Sequence, residues 1–265
     1  MRTFLLILIS VSLFGAETKQ ERGKRIVDEA VAALGGEKFL AMKDRVEAGR
    51  AYSFYREELS GLSIAKIYTQ YVTSANAEPA DFIGVRERQA FGKDEYSAVL
   101  FTGDAGYQIT FRGARPMPDS MLERFRQSAI HNIFNILRLR LGEKGLIFES
   151  RGTDVWLNQP VEIVDITDSE NRVVTVYFHL SEKVPLRQEF YRRDPKTRDR
   201  IVEETEYGKY REVGDGVKWP FTMLRKRDGE KVYEIFSETV TINQGLSDGL
   251  FVLPSNLKIL KKPVE

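Results

Sequence analysis

Few residues in this chain have the type and spacing that catalysis or metal binding requires. Gly245-Leu246-Ser247-Asp248-Gly249 matches the letters of the Gly-x-Ser-x-Gly elbow, which presents a nucleophilic serine in many hydrolases. That elbow leads into a helix and is followed along the chain by a histidine base, whereas His131 and His179 both precede Ser247. We therefore interpret the match as a loop, expect no catalytic residues and no enzymatic activity, and rank a hydrolase last among the candidate functions.

Metal and cofactor motifs are missing from the sequence. Neither histidine has a second histidine four residues away, so the H-E-x-x-H zinc motif is absent. The chain contains no cysteine, which excludes disulfides, cysteine-ligated metals and a lipid anchor on an N-terminal cysteine. Glycine-rich phosphate loops are absent as well. We expect no metal, no cofactor and a structural role for each histidine.

Three carboxylates, Glu203, Glu204 and Glu206, cluster in the last third of the chain. They lie near Arg192, Arg193 and Arg198 of the preceding hairpin. Ion pairs between neighbouring strands on a solvent-exposed face would account for this cluster. A catalytic acid pair of the glycosidase kind would need two carboxylates that face one cleft, and is the less favoured interpretation.

The beginning of the chain is typical of a secretory signal. Arg2 is followed by the apolar run Phe4–Phe14 and then by the small residues Gly15-Ala16. As a helix this run would be only about 16 Å long, against roughly 30 Å for the hydrocarbon core of a membrane. We expect a signal peptide over residues 1–16, export to the periplasm, and one domain over residues 17–265. The near balance of 40 basic and 39 acidic residues argues against a nucleic-acid partner.

The last third of the chain predicts one strand after another. Six segments alternate, or nearly alternate, between apolar and polar residues, and each ends at a turn signal. They are Val161–Thr167, Val173–Leu180, Leu186–Arg193, Ile201–Val213, Val217–Arg227 and Lys231–Ile242. Because parallel strands need crossovers of a dozen or more residues, the short links predict an antiparallel meander.

Helices and further strands are predicted in the first half of the chain. Gly23–Leu34 has one apolar face and ends at Gly35-Gly36, and a helical turn follows at Glu37–Met42. The strands that follow are Val46–Glu57, Ser63–Val72, Ile83–Phe91, Tyr96–Phe101 and Tyr107–Phe111.

A long helix is predicted between the two sets of strands, from an N-cap at Asp119 to about Leu141. Its apolar face would lie on the sheet, while the polar face carries Glu123, Arg124, Gln127 and Arg138. The predicted fold is mainly β (α+β). It is a large curved antiparallel half-barrel sheet of about eleven strands, with the N-terminal helix and the central helix on its concave side.

Several of these features together resemble one family of exported half-barrels. The helix that ends at Ala33-Leu34-Gly35-Gly36 precedes a strand at Val46, and a mid-chain helix separates the two strand sets. The closing pattern consists of Gly216-Val217-Lys218-Trp219-Pro220, the strand Glu234–Asn243, and then Asp248, Phe251 and Pro254. In these respects the chain resembles the LolA-like and LolB-like outer-membrane lipoprotein carriers (the lipoprotein-sorting family) and the related N-terminal domain of the RseB/MucB sensors. It is longer than a typical carrier and lacks the N-terminal cysteine of the anchored receptor type.

The resemblance implies an apolar cavity between the curved sheet and the central helix, where acyl chains could be buried. Strand alternation and the apolar face of the helix supply candidate lining residues. These are Phe125, Ile133, Leu137, Val176, Phe178, Leu186, Phe190, Phe221, Met223 and Phe236. All of them are equally compatible with an ordinary filled core, so the sequence leaves both possibilities open.

Three arginines, Arg50, Arg112 and Arg140, are candidates for latching a lid, because an arginine at a strand end or on the inner helix can donate to backbone carbonyls. We expect a periplasmic, unlipidated carrier whose partners are lipid or lipoprotein acyl chains, with inner- or outer-membrane envelope proteins as further candidate partners. The alternative is an envelope sensor or protein-interaction module with the same fold and no transported ligand.

Overall fold

The computed structural model describes residues 16–72, 83–194 and 197–263, so the predicted signal peptide lies outside the described residues except for Ala16. The strands are β1 (Asp44–Tyr55), β2 (Glu58–Tyr71), β3 (Val85–Phe91), β4 (Ser97–Phe101), β5 (Gly106–Thr110), β6 (Gly113–Pro116), β7 (Ile147–Trp156), β8 (Gln159–Thr167), β9 (Val173–His179), β10 (Pro185–Arg193), β11 (Arg200–Glu212), β12 (Lys218–Arg227) and β13 (Glu230–Ile242). The helices are α1 (Lys19–Leu34), α2 (Glu37–Leu40), α3 (Asp119–Ile130) and α4 (Ile133–Asn135). A π-helical turn, Ile136–Arg140, continues α4, and Asp248–Phe251 forms a 3₁₀ turn. Crossing a membrane would need a longer and more apolar helix than any that the structure describes.

All thirteen strands belong to one antiparallel sheet, in the order β6-β5-β4-β3-β2-β1-β13-β12-β11-β10-β9-β8-β7. Strands that are neighbours in the chain pair with each other, except that β6 and β7 lie at opposite edges. The pairing of β1 with β13 joins the two halves, and sets Arg45 opposite Ile242 and Ala51 opposite Ile235. The predicted fold class, a curved antiparallel sheet with helices, is confirmed.

The structure has two strands, β6 and β7, that the sequence analysis does not predict. Pro116 is unfavourable inside a sheet, but β6 lies at the edge of this one, where a proline is tolerated. In β7 the register shifts between Ser150 and Gly152, so a bulge interrupts the alternation that would identify a strand.

The N-terminal helices fill the concave face of one half of the sheet. Buried residues of α1, of α2 and of the segment after α3 pack against β7 to β12, and the buried residues of this core include Ile26, Leu34, Phe39, Ile133, Leu137, Val164, Val176, Phe178 and Leu186. A Cβ on Gly23 of α1 would lie 2.6 Å from the carbonyl oxygen of Phe148, so only glycine allows this close approach to β7. Thr18 and Glu21 form a capping box, which starts α1 four residues before the predicted Gly23.

The central helix is broken, so the prediction of one helix from Asp119 to Leu141 is wrong. Asn132 adopts an extended backbone (φ −67°, ψ 122°) between α3 and α4. Its side-chain oxygen accepts a hydrogen bond from the backbone N–H of Asn135 at 3.2 Å, which caps α4. The apolar periodicity continues through Asn132, and therefore the sequence does not reveal the break.

Gln188, a buried residue of β10, satisfies the backbone on both sides of this break. Its Oε1 accepts a hydrogen bond from the N–H of Ile133 at 2.9 Å, and its Nε2 donates to the carbonyl of His131 at 3.1 Å. The Tyr207 hydroxyl donates to the same Oε1 at 2.8 Å. Because buried backbone groups without partners are costly, the Gln188 side chain stabilises the change of direction.

The two parts of the broken helix have different surroundings. Ile133, Ile136 and Leu137 are almost fully buried in the core beneath the C-terminal half of the sheet. In α3 only the last two residues, Ala129 and Ile130, are buried. The first turns of α3 therefore remain partly exposed.

The segment after β13 crosses the opposite, convex face. The buried carboxylate of Asp44 accepts hydrogen bonds from three backbone N–H groups in this segment, those of Gln244, Gly245 and Leu246, at 2.7–3.2 Å. Phe251 then packs in a small cluster on the outside of β2 to β4. Finally, Lys258 and Leu260 make backbone hydrogen bonds of 2.8 Å with Ala114, which covers part of the β6 edge.

Replacing Gln188 by leucine should lower the free energy of unfolding by about 3 kcal/mol. The substitution leaves the His131 carbonyl and the Ile133 N–H buried without partners, at about 1–3 kcal/mol each. Urea denaturation followed by circular dichroism measures the effect. Tyr207→Phe is the matched control, since it removes one donor to Gln188 and should cost only about 1 kcal/mol. Equal losses in the two variants would contradict the role of Gln188 at the break.

His131 provides a pH-dependent probe of the same region. Its ring is buried, stacks on Phe190 at 4.1 Å, and donates from Nδ1 to the Gln127 carbonyl at 2.7 Å. Burial, helped by the positive charges of Arg172 and Arg140, lowers the pKa of His131 to about 4, although the hydrogen bond to the Gln127 carbonyl and the charge of Asp168 act in the opposite direction.

Stability should therefore fall as the pH drops from about 6.5 to about 4, because the unfolded chain takes up a proton on this histidine and the folded chain resists it. Between about pH 7.5 and pH 5 we expect the protonation of this histidine to lower the free energy of unfolding by about 2 kcal/mol. Denaturation curves at the two pH values measure it, with His131→Phe as the reference that lacks the titrating ring. An identical pH dependence in the variant would contradict this assignment.

Candidate functional site

A cavity of about 520 Å³ lies on the part of the concave face that the core helices leave open. Its floor consists of β1 to β4, its far wall consists of β11 to β13, and α3 covers it. The break at Asn132 produces this space, because α3 spans the opening while α4 and the π-helical turn remain in the core.

Two rows of side chains cross the floor from β1 to β4. The strand registers align them as Arg45, Thr69, Glu87 and Phe101 in the first row, and as Glu47, Ile67, Gln89 and Val99 in the second. All eight residues line the cavity. The floor is therefore amphipathic: it carries charged groups near β1 and β3 and apolar groups near β2 and β4.

Arg45 is the best-connected charged group of the floor. Its guanidinium donates to the Tyr71 hydroxyl at 3.0 Å and to Thr69 Oγ1 at 3.2 Å, and lies 4.2 Å from the ring centre of Trp219. Glu47 Oε2 is 3.6 Å from its Nε. Burial opposes the charge, but Tyr71, Glu47 and Glu87 hold the pKa of Arg45 above its ordinary value. Arg45 is thus a permanent cation whose charge is neutralised locally.

The roof and the wall supply apolar surface. On α3, Phe125 stacks on Phe101 of β4 with ring centres 3.6 Å apart. Met121 lines the cavity and keeps 38% of its surface exposed, which marks the open side. Met223 and Trp219 of β12 form part of the opposite wall. An apolar chain entering beside Met121 would contact both α3 and β12.

The carboxylate cluster is divided between the two faces of the sheet. Glu203 lies on the concave face, where its Oε1 pairs with Arg192 at 2.7 Å and with Arg227 at 3.2 Å. Glu204 pairs with Arg187 and Glu206 with Lys226, on the opposite face. Of the three arginines expected to form ion pairs with these glutamates, Arg192 does so. Among the residues that the structure describes, the other partners are Arg187, Arg227 and Lys226, and not Arg193 or Arg198.

The predicted lining residues do not form one group in the structure. Phe125 and Met223 line the cavity. The core beneath the C-terminal half contains Ile133, Leu137, Val176, Phe178, Leu186, Phe190 and Phe221. Phe236 is 37% exposed on the convex face, where it contacts Tyr52. The helices α1, α2 and α4 pack on the strands from which most of these candidates come, so the space lies over the other half.

The three candidate latch arginines lie far apart in the fold. Arg50 is exposed and pairs with Glu238 at 3.4 Å, and Arg112 is exposed in the turn between β5 and β6. Arg140 is buried, donates to the carbonyl of Ile130 at 2.9 Å, and pairs with Glu143 at 2.7 Å and with Asp168 at 3.0 Å.

In addition to the contact made by Arg140, Arg138, which is not among the candidates, makes further contacts with backbone carbonyls. It is partly buried, whereas the helical periodicity predicts it on a polar outer face. It donates to the carbonyls of Phe39 and Leu40 at 3.0 Å each, and also to the carbonyl of Met42. These bonds join the π-helical turn to the end of α2 and thus fix the start of β1. No local sequence signal identifies this role, because the π-helical turn changes which face Arg138 presents.

Ser247 and His179, which the sequence offers as further candidates for catalysis, both accept hydrogen bonds from the backbone. Ser247 accepts a hydrogen bond from the N–H of Gly249 at the start of the 3₁₀ turn. His179 ends β9, and its Nδ1 accepts from the N–H groups of Ser181 and Glu182. In the described part of the chain, no group of three or more histidine, cysteine or acidic residues could hold a metal ion.

Comparison with known proteins identifies the fold. No protein-family model matches the sequence, and no curated protein matches it. A DUF1329 family protein from Desulfovibrio piger is 14% identical with a TM-score of 0.57, over 87% of this chain and 97% of that one. A domain assigned to outer-membrane lipoprotein sorting, from Vibrio parahaemolyticus, is 13% identical with a TM-score of 0.55, over 88% and 97%. A LolA superfamily protein from Nitrosomonas europaea is 12% identical with a TM-score of 0.51, over 87% and 97%.

Identities this low show a shared fold and nothing finer. The matches span almost the whole of each solved structure, so the likeness concerns the complete sheet with its helices and not one motif. The resemblance that the sequence motifs predict is therefore confirmed at the level of the fold: this chain has the curved half-barrel architecture of the LolA superfamily.

Proposed function

We propose that this protein is a periplasmic, non-enzymatic carrier that holds a lipid, or the acyl chains of a lipoprotein, beneath α3. One observation carries the proposal, namely the space of about 520 Å³ between α3 and the sheet. This volume lies within the roughly 300–1,000 Å³ that is typical of small-molecule sites. The signal-like residues 1–16 and the shared LolA superfamily fold support a role in the envelope.

Apolar contacts would supply the binding free energy. Met121 and Phe125 on α3 face Ile67 on the floor and Met223 on the wall, so a hydrocarbon chain between them would be covered on several sides. Burying one methylene is worth about 0.8 kcal/mol, which amounts to about 12 kcal/mol for sixteen carbons before ordering costs are subtracted. That is enough to hold a single acyl chain in water.

A protein-interaction module is the second candidate, and one surface favours it. Leu62 and Ile64 are exposed on the convex face of β2, and Ile64 and Phe236 lie on either side of Arg50 in the strand register. Exposed apolar patches of this kind often mark contacts with other proteins. This candidate requires protein from the periplasm to be free of lipid, which native mass spectrometry with lipid extraction would show.

Fatty acids with acyl chains of different lengths provide a direct test of the carrier proposal. Trp156→Phe leaves Trp219, in the cavity wall, as the one tryptophan of the sequence, and its fluorescence then reports occupancy. Titration with fatty acids of twelve, fourteen and sixteen carbons should show the dissociation constant falling about tenfold for each added pair of methylenes. Lipid-free protein that binds none of these acids would rule the proposal out.

A pair of bulky substitutions on α3 provides the matched control. Ser128 lines the cavity, so Ser128→Phe should fill part of it and weaken binding by at least about tenfold. Glu123 is exposed, and Glu123→Phe adds the same ring outside the cavity. We expect its dissociation constant to stay within about twofold of the parent value. Equal weakening in both variants would place the ligand elsewhere.

A further inference from the structure

Arginines outnumber carboxylates in the cavity where α3 faces β12. Arg124 of α3 and both Arg225 and Arg227 of β12 line this part. Arg192 of the neighbouring β10 lies close by, because it shares the carboxylate of Glu203 with Arg227. Four guanidinium groups thus converge from three separate elements of the fold.

Carboxylates do not balance these arginines. Glu203 and Asp194 are the two acids whose charges act on Arg124, whereas Arg227 and Arg192 repel it. Glu203 is engaged by Arg192 and Arg227. Among the described residues, neither Arg124 nor Arg225 forms an ion pair. Partial desolvation and the charges of Arg227 and Arg192 lower the pKa of Arg124 by more than the charges of Glu203 and Asp194 raise it.

The other two glutamates of the cavity, Glu47 and Glu87, act on a different arginine, Arg45. Both lie on the floor of the cavity. They also act on Tyr233, whose ring lies 6.0 Å from the guanidinium of Arg225. With Arg192 counted, five arginines still face three glutamates around the cavity, so positive charge is left over. An arginine cluster with free donors is the arrangement that binds phosphate or carboxylate groups most strongly.

Apolar residues directly adjoin the unmatched arginines. Met121 and Phe125 lie beside Arg124 on α3, and Met223 precedes Arg225 by two residues on the same face of β12. A molecule with an anionic head at Arg124 and Arg225 would therefore direct its tail between these apolar side chains. Neither a free anion nor an uncharged hydrocarbon would use both surfaces.

We infer that the cavity selects amphiphiles whose head group is a phosphate or a carboxylate, with Arg124 and Arg225 as the head-group residues. This inference rests on the proposed carrier function, because it assigns the other end of the same ligand. It defines the ligand class as anionic single- or multi-chain lipids, as opposed to neutral ones.

Probes with one chain and different heads test the inference. Dodecyl phosphate, dodecanoate and dodecyl maltoside carry the same twelve-carbon tail, and Trp219 fluorescence in the Trp156→Phe protein reports their binding. We expect the two anionic probes to bind at least about tenfold more tightly than the maltoside at low salt, and the difference to shrink as salt screens the charges. Inorganic phosphate alone should bind far more weakly than dodecyl phosphate.

Two double variants test which arginines cause the preference for anionic probes. Arg124→Gln with Arg225→Gln should remove most of the preference for anionic probes, while the dissociation constant for dodecyl maltoside changes by less than about threefold. Arg56→Gln with Arg151→Gln is the matched control, since both residues are exposed outside the cavity and the same charge is removed. Glu203→Gln should act in the opposite direction and strengthen binding of dodecyl phosphate, because it frees Arg192 and Arg227.

The outcomes separate this inference from the function on which it rests. Equal affinity of the wild-type protein for all three probes would overturn the head-group assignment and leave the carrier proposal standing. Binding of none of them would overturn both. Inorganic phosphate that binds as tightly as dodecyl phosphate, or a control pair that loses the preference as fully as the cavity pair, would also overturn the assignment.

Discussion

The hydrogen bonds of Gln188 on both sides of Asn132 decide how the concave face is divided. They allow the central segment to stop being a helix at His131 and to begin again at Ile133 without leaving buried backbone groups unpaired. One part then completes the core beneath β8 to β12, and the other part, α3, spans open space. A continuous helix could not do both, because its apolar face would follow one straight line across the sheet.

The floor of the cavity depends on contacts that join distant parts of the chain. The β1–β13 pairing aligns the first strand with the last, and the Arg138 contacts to the carbonyls at the end of α2 fix where β1 begins. Asp44 holds the segment after β13 against the other face. The cavity is thus bounded by elements whose positions are set by buried polar contacts as well as by apolar packing, which gives it a defined shape.

The charges of the cavity wall distinguish it from a simple apolar pocket. A filled core excludes unpaired arginines because burial of an unmatched charge is costly, whereas in this cavity Arg124 is exposed and Arg225 is half-buried, so both retain access to solvent.

Local sequence patterns determined the fold class, most strand positions, the helix α1 and the resemblance to the LolA superfamily, because alternation, helical periodicity and glycine ends are properties of short segments. Of the lining residues that these patterns predict, Phe125 and Met223 are placed at the cavity. Only the tertiary structure decided which half of the concave face is filled. The break at Asn132 is stabilised by Gln188, fifty-five residues away in the chain, and Arg138 acts on carbonyls almost a hundred residues away. Alternation shows which side chains share a face, but whether that face meets a helix or open space depends on long-range contacts that no short segment encodes.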